Sequence, residues 1–233
     1  MKRILFALLF IMNVAYAQKW ESLANVNSGL FYYGGDGAEK TSFLEYWQGD
    51  PSLYAYTNNP YGRKSGFSYG VGFNVQRLTS WHFVYGLDFG FESVQSKMPL
   101  SQTDMNGVFW SGRTLLRSNF FTLSPHFGFY WNIKSVRMDL SIAGDFVKYL
   151  SEAKENAVIE SEAGNTIRAK GNRENPMLDS RTSYQLTVFK NRLGLSLSYA
   201  KGLNDYNSGW LKGDGHRVFS HYLKIGLQYR LSN

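Results

Sequence analysis

The sequence predicts an all-β protein: an antiparallel up-and-down transmembrane β-barrel of about eight strands, with long extracellular loops and short periplasmic turns. Three observations predict it. Apolar residues recur at every second position over runs of about ten residues, which is what a tilted strand needs to cross a bilayer. The connections between these runs alternate long, short, long, short along the chain, an asymmetry that such barrels keep and a soluble sandwich has no reason to keep. The N-terminus reads as an export signal, and no later stretch is long and apolar enough for a membrane helix.

The clearest element is the stretch Gly66 to Gln95. Phe67, Tyr69, Val71, Phe73 and Val75 alternate with Ser68, Gly70, Gly72, Asn74 and Gln76. After Leu78-Thr79-Ser80 the pattern restarts with Trp81, Phe83, Tyr85, Leu87, Phe89 and Phe91, against His82, Val84, Gly86, Asp88, Gly90 and Glu92. Period two means strands. A glycine-rich second face suits a crowded barrel interior better than open solvent. The pair reads as a membrane hairpin that the rest of the chain repeats.

At the start, basic Lys2-Arg3 precedes the apolar run Ile4 to Val14, and Ala15-Tyr16-Ala17 has the small-x-small form of a processing site. Residues 1–17 are therefore expected to be a cleaved signal peptide, and residues 18–233 the outer-membrane β-barrel domain. There is no cysteine, hence no lipid-anchored cysteine and no disulfide. The aromatic share of 17% and the 23 glycines against 5 prolines fit a barrel better than a linker-rich chain. The formal charge of +7 falls to +5 without Lys2 and Arg3. That suits contact with lipopolysaccharide phosphates and is no nucleic-acid signature.

In chain order, the first strand is expected within Trp20 to Gly35, centred on Val26 to Tyr33, where the alternation is weakest. Asp36 to Lys64 is a long polar and aromatic connection. The hairpin follows, and Ser96 to Leu116 is expected to be a second long connection, with Pro99, Asn106-Gly107 and Ser111-Gly112 as turn signals. Phe121, Leu123, Pro125, Phe127, Phe129 and Trp131 mark a strand, Asn132 to Ser135 a turn, and Met138, Leu140, Ile142, Gly144 and Phe146 the next strand. Leu150 to Ser180 is a third long connection. It holds a small hairpin, Ala157 to Lys170 around Ala163-Gly164-Asn165, that is too charged and too short to cross a membrane. Tyr184, Leu186 and Val188, the turn Lys190-Asn191-Arg192, and Leu193, Leu195, Leu197 and Tyr199 form another hairpin. After Leu203 to Gly215, the chain closes with Phe219, His221, Leu223, Ile225, Leu227, Tyr229 and Leu231 on one face. Trp81 and Trp131 beside short turns, with Tyr199 and Tyr229 near strand ends, read as interfacial girdles.

These residues also carry a resemblance. Tyr69-Gly-Val-Gly-Phe-Asn74, Ser124-Pro-His-Phe-Gly128, Leu197-Ser-Tyr-Ala-Lys-Gly-Leu-Asn204 and Leu223-Lys-Ile-Gly-Leu-Gln-Tyr-Arg-Leu231 resemble the PorT-like outer-membrane β-barrel proteins of Bacteroidota. The resemblance implies the fold and an outer-membrane location. The family's namesake serves protein secretion, and many of its relatives have no assigned role. The ending differs from the terminal Phe of many other barrels, because Ser232-Asn233 follow Leu231. No catalytic residue follows from the resemblance.

An eight-stranded barrel is just wide enough for its own side chains, and inward Tyr130, Tyr222, Arg137 and Lys224 are expected to fill it. Asp88, Arg137, Asp139, Lys224 and Arg230 form the expected lumen charge network, with Asp88 and Lys224 coupled near mid-strand and Asp139 and Arg230 both toward the periplasmic end. A lipid A-modifying enzyme needs a nucleophile, a base within reach and an oxyanion site. His126 shares a face with Ser124, and His221 adjoins Ser220 on the opposite face, but neither makes a recognisable His-x-Ser pair. No catalytic, cofactor-binding or metal-binding residue is expected. The first loop carries Phe43, Tyr46, Trp47, Tyr54, Tyr56 and Tyr61, which either form a contact surface or pack on each other over the barrel mouth. The expectation is a monomeric outer-membrane barrel with a filled lumen. It acts as a structural, binding or assembly/secretion-associated protein through its extracellular loops, with outer-membrane lipid or lipopolysaccharide and a protein at the loops as partners. A lipid A-modifying enzyme and a narrow pore are the alternatives.

Overall fold

The computed structural model describes residues 19–46, 55–173, 178–206 and 216–232. The signal segment 1–17 lies outside the described residues. Twelve strands form among the described residues: β1 (Lys19–Gly34), β2 (Leu44–Tyr46), β3 (Ala55–Thr57), β4 (Lys64–Leu78), β5 (Phe83–Thr103), β6 (Phe109–Ile133), β7 (Val136–Tyr149), β8 (Ala153–Ser161), β9 (Thr166–Arg173), β10 (Asp179–Lys190), β11 (Leu193–Gly202) and β12 (Phe219–Arg230). Eight of them, β1, β4, β5, β6, β7, β10, β11 and β12, pair antiparallel into a closed ring. The seam is β1 against β12, in register from Leu23 opposite Arg230 to Gly34 opposite Phe219. Closure leaves these ring strands no unpaired edge, which a bilayer requires because it offers no hydrogen bonds.

The alternation explains which way each residue points. Phe67, Tyr69, Val71 and Phe73 lie exposed on the outside, while Ser68 and Asn74 between them are buried. The same polarity holds for Phe121, Leu123, Phe127 and Phe129 on β6 and for Leu223, Ile225, Leu227 and Tyr229 on β12. A belt this apolar is stable only against lipid. The turns at one end are short, at Thr79–His82, Lys134–Ser135 and Asn191–Arg192. Trp81 (67% exposed) lies within the first of them, and Trp131 (46%) sits near the second. The longer connections lie at the other end.

The structure departs from the sequence reading in two places. β1 begins at Lys19, not near Val26, so Glu21 enters the lumen. The stretch Ser96 to Leu116 is not a loop. β5 and β6 run on through it as a continuous ladder to Thr103 opposite Phe109, closed by the turn Asp104–Val108. The reason is that the polarity inverts. Here the apolar residues Met98, Leu100, Trp110 and Leu116 point inward, and Lys97, Arg113 and Arg117 point outward. A search for outward apolar residues therefore fails above the membrane.

The expected small hairpin exists as β8 and β9, and it joins this extension. β8 pairs with β6 from Arg117 opposite Lys154 to Trp110 opposite Ser161, continuing the line of β7 after the break at Leu150–Glu152. β5, β6, β8 and β9 thus rise as a one-sided wall above the mouth. The first loop is fastened to its inner face. Ser42 exchanges backbone hydrogen bonds with Pro99 and Ser101 at 2.9 and 3.0 Å, and Leu44 packs with Met98, Leu100, Trp110, Ala157, Ile159 and Ala169.

Candidate functional site

The lumen is built in three layers. Nearest the short turns, Arg137 on β7 makes a fork onto Asp139, with Nε–Oδ1 at 2.8 Å and Nη2–Oδ2 at 2.9 Å. Its Nη1 also donates to Glu21 on β1 at 2.9 Å. Arg230 approaches the same Glu21 at 3.7 Å, and Gln76 donates to it at 3.1 Å. Both guanidiniums lie against the Phe189 ring, 4.6 Å away for Arg137 and 4.3 Å for Arg230. Glycine is needed opposite. A Cβ on Gly194 would stand 2.5 Å from the Phe189 ring. Two carboxylates, Glu21 and Asp139, and one ring let two arginines share a narrow section that repulsion would otherwise forbid.

The middle layer is polar, around a cavity of about 80 Å³ lined by Asn25, Asn27, Ser141, Asp145, Ser183 and Gln228, among others. Its size and lining suit ordered water. His126 Nδ1 stands 2.9 Å from Asp88 Oδ2, and Asn74 donates to Asp88 at 2.6 Å. Lys224 Nζ reaches Glu92 at 2.9 Å and lies over the Tyr222 ring. The expected pairing of Asp88 with Lys224 is thus corrected: Asp88 takes His126, and Lys224 takes Glu92. Strand tilt and stagger shift the level that faces a given residue across a barrel, so counting from strand middles selects the wrong carboxylate. Asp139 and Arg230 both lie at the short-turn end, where Asp139 pairs with Arg137 and Arg230 approaches Glu21. Glu21 and Glu92 were missed. The first strand has poor alternation, and Glu92 gave no signal beyond facing inward.

The top layer closes the mouth. Asp179 and Arg181 are both buried, with Arg181 Nε donating to Asp179 at 2.9 Å. The guanidinium lies 4.6 Å from the Phe120 ring and 5.6 Å from Phe31. Tyr206 and Ser220 also donate to Asp179, at 2.6 and 3.3 Å, and the Tyr149 and Tyr206 hydroxyls bond each other. Tyr33, Tyr61 and Tyr206 pack edge to face at 5.0–6.0 Å above. Side chains of the described residues thus fill the barrel above and below the cavity.

The loop aromatics divide. Tyr61 packs over the barrel mouth, the second of the two arrangements expected for these aromatics, against the Tyr33 and Tyr206 rings. Burial raises the pKa of its hydroxyl. Phe43 and Tyr56 are exposed. Tyr56 donates to Glu45 at 2.5 Å and lies under the Arg173 guanidinium. Tyr46 is the last residue of β2, and Trp47 and Tyr54 lie outside the described residues. Glu155 clasps the β2–β3 hairpin. It accepts from the Thr57 amide at 3.1 Å, the Thr114 hydroxyl at 3.4 Å and Arg173 Nε at 2.6 Å, and Arg173 also donates to the Thr57 carbonyl.

Catalytic chemistry finds little to use. His126 and Asp88 form a carboxylate–imidazole pair in the lumen, the His126 ring buried and the Asp88 carboxylate partly exposed, and no hydroxyl hydrogen-bonds to the ring among the described residues. His221 stands on the outer face, stacked on Tyr32 and bonded to the Tyr199 hydroxyl at 2.7 Å. No cluster of His, Asp or Glu among the described residues could hold a metal ion.

A closed ring of eight strands, an apolar outer belt and a plugged polar lumen define a small transmembrane β-barrel. Among solved structures the chain is similar to Ail, the attachment invasion locus protein of Yersinia pestis, in complex with the heparin analogue sucrose octasulfate: 12% identity, 91% of this chain and 99% of that chain covered, TM-score 0.37. It is also similar to Neisserial surface protein A, at 9% identity, with 89% and 96% covered and a TM-score of 0.35. No family model and no curated protein sequence matches the chain.

Proposed function

We propose that this is an outer-membrane binding protein, exported by a signal cleaved after Ala17, whose barrel is a rigid anchor for the wall and the clasped first loop. The observation that carries this is the plug. A lumen filled, among the described residues, by Arg181, Asp179 and the tyrosines above, and by Arg137, Glu21 and Arg230 below, favours the surfaces as the working parts. A role in secretion or assembly, of the kind the PorT-like resemblance implies, is one form this reading takes.

The test replaces residues 43–57 with a short Gly/Ser link. Long surface loops are cheap to change, so the barrel should stay folded by heat-modifiable migration while partners cross-linked at the cell surface disappear. Planar-bilayer recordings should show no stable conductance, and lipid A should have the same mass in wild type and knockout. A stable conductance, or a lipid A mass change with unaltered cross-linking, would put a pore or an enzyme first.

A further inference from the structure

We propose that the outer face of the wall, together with the apolar groove below it, binds a phosphorylated glycolipid of the surrounding outer leaflet. This rests on the outer-membrane reading above and names a partner for it.

The ladder gives the positions. Phe91, Phe121 and Lys148 form one outward row, the last large aromatic level of the belt on this side. Four residues higher on β6, Arg117 stands opposite Lys154. The rows above place Lys97 and Lys170 outward, then Arg113 beside Val158 and Arg168. None of these cations takes part in an ion pair among the described residues. Among the described residues, the carboxylates beside these cations are Glu160, toward the top, opposite Ser111 and Thr166, and the exposed Glu152 in the break between β7 and β8. Lysines on the open strand β9 serve to discourage edge pairing. Arg113, Arg117 and Lys154 lie on β6 and β8, which are paired on both sides, so that reason does not reach them.

Directly below, on the lipid face, lies an apolar groove of about 600 Å³ lined by Val71, Phe73, Phe89, Phe91, Phe121 and Leu123, with Lys148 at its border. Acyl chains fit such a groove, and a phosphate above them meets Lys148, Arg117 and Lys154. Height selects the headgroup. Arg113 lies eight residues beyond Phe121, about 26 Å along the strand and roughly 20 Å above it once strand tilt is included. The interfacial layer of an ordinary phospholipid leaflet is only about 5–8 Å deep. Cations stacked to three times that depth match a headgroup of several sugars carrying several phosphates.

The experiment uses the mature protein in nanodiscs of phosphatidylcholine doped, at equal charge, with either phosphatidylglycerol or a diphosphoryl lipid A carrying its phosphorylated core sugars. Lipid retained on the protein is read by native mass spectrometry. The variants are Arg117→Gln/Lys148→Gln/Lys154→Gln and, as control, Lys134→Gln/Lys190→Gln at the short turns. Wild type and control should retain the glycolipid in preference to phosphatidylglycerol. The triple variant should lose roughly a hundredfold in affinity, at about fivefold for each cation near an anionic surface. If that variant does not fold, raising salt on wild type should release the glycolipid. Equal retention by the triple variant, indifference to salt, or no preference over phosphatidylglycerol would overturn the proposal. So would equally tight binding of the soluble phosphorylated core saccharide alone, since the groove would then contribute nothing. Failure of the outer-membrane reading is seen separately, as protein absent from the outer-membrane fraction of a density gradient.

Discussion

Glu92 on β5 and Lys224 on β12 meet across the lumen at 2.9 Å, although neither strand pairs with the other. An ion inside a barrel is costly without its partner, and removing one side of a buried pair costs about 3–5 kcal/mol. Glu92→Gln and Lys224→Met should each destabilise the refolded barrel in urea, and the double variant should lose less than the sum. The same cycle on Asp88 and Lys224 should be close to additive. Additivity for Glu92 with Lys224 would mean that the pair does not couple.

Gly194 gives a second expectation. With the Phe189 ring 2.5 Å from where its Cβ would stand, Gly194→Ala must displace the ring and, with it, the two arginines stacked on it. Overpacking of this kind costs about 1–3 kcal/mol. Phe189→Ala in the same chain should relieve most of the Gly194→Ala effect, as measured by denaturant midpoints. An unchanged midpoint for Gly194→Ala alone would refute the close approach.

The clasp at Glu155 should be separable from barrel stability. Glu155→Gln removes the charge that holds Arg173 and weakens the acceptor for the Thr57 amide, above the membrane and outside the ring. Limited proteolysis should then cut within residues 44–57 several times faster, a local opening rather than global unfolding. Heat-modifiable migration should not change. Equal cleavage rates would show that the packing around Leu44 suffices without the clasp.

Asp104 sets the tip of the wall. Its carboxylate accepts from the Val108 and Asn106 amides at 2.9 Å each and from Trp110 Nε1 at 3.2 Å. These bonds, that from Val108 first, lower its pKa. A depressed folded-state pKa means that the contribution is fully present above the unfolded value, about 3.9, and is lost as pH falls through the folded one. The Val108 amide should therefore lose hydrogen-exchange protection, and Trp110 fluorescence should change, only below about pH 4. In Asp104→Asn both signals should be flat with pH. A transition persisting in that variant would assign it to another group.

The belt was legible because lipid reads every second residue. From Phe67 to Phe91 and from Phe219 to Leu231, one face must be apolar along the whole strand, so strand direction and facing follow from the letters alone. The positions of the short turns were legible for a related reason, since a break of two to four residues interrupts the alternation, although Trp81 and His82 belong to the first turn and not to the strand after it. The wall was not, because above the membrane the inner face is the apolar one and the signal changes sign at Arg117. Nor were Glu21 and Glu92 assigned partners, because their roles depend on which residue stands across the lumen.

The sequence by itself determined an eight-strand membrane barrel with loops of unequal length, because burial against lipid is a one-dimensional constraint along each strand. Only the tertiary structure decided that Lys224 answers Glu92, that Tyr61 packs at the mouth, and that seven cations gather on one outer face beside and above an apolar groove. The physical reason is that barrel stagger and the joining of β8 to β6 set distances between residues far apart in the chain, and no local pattern carries those distances.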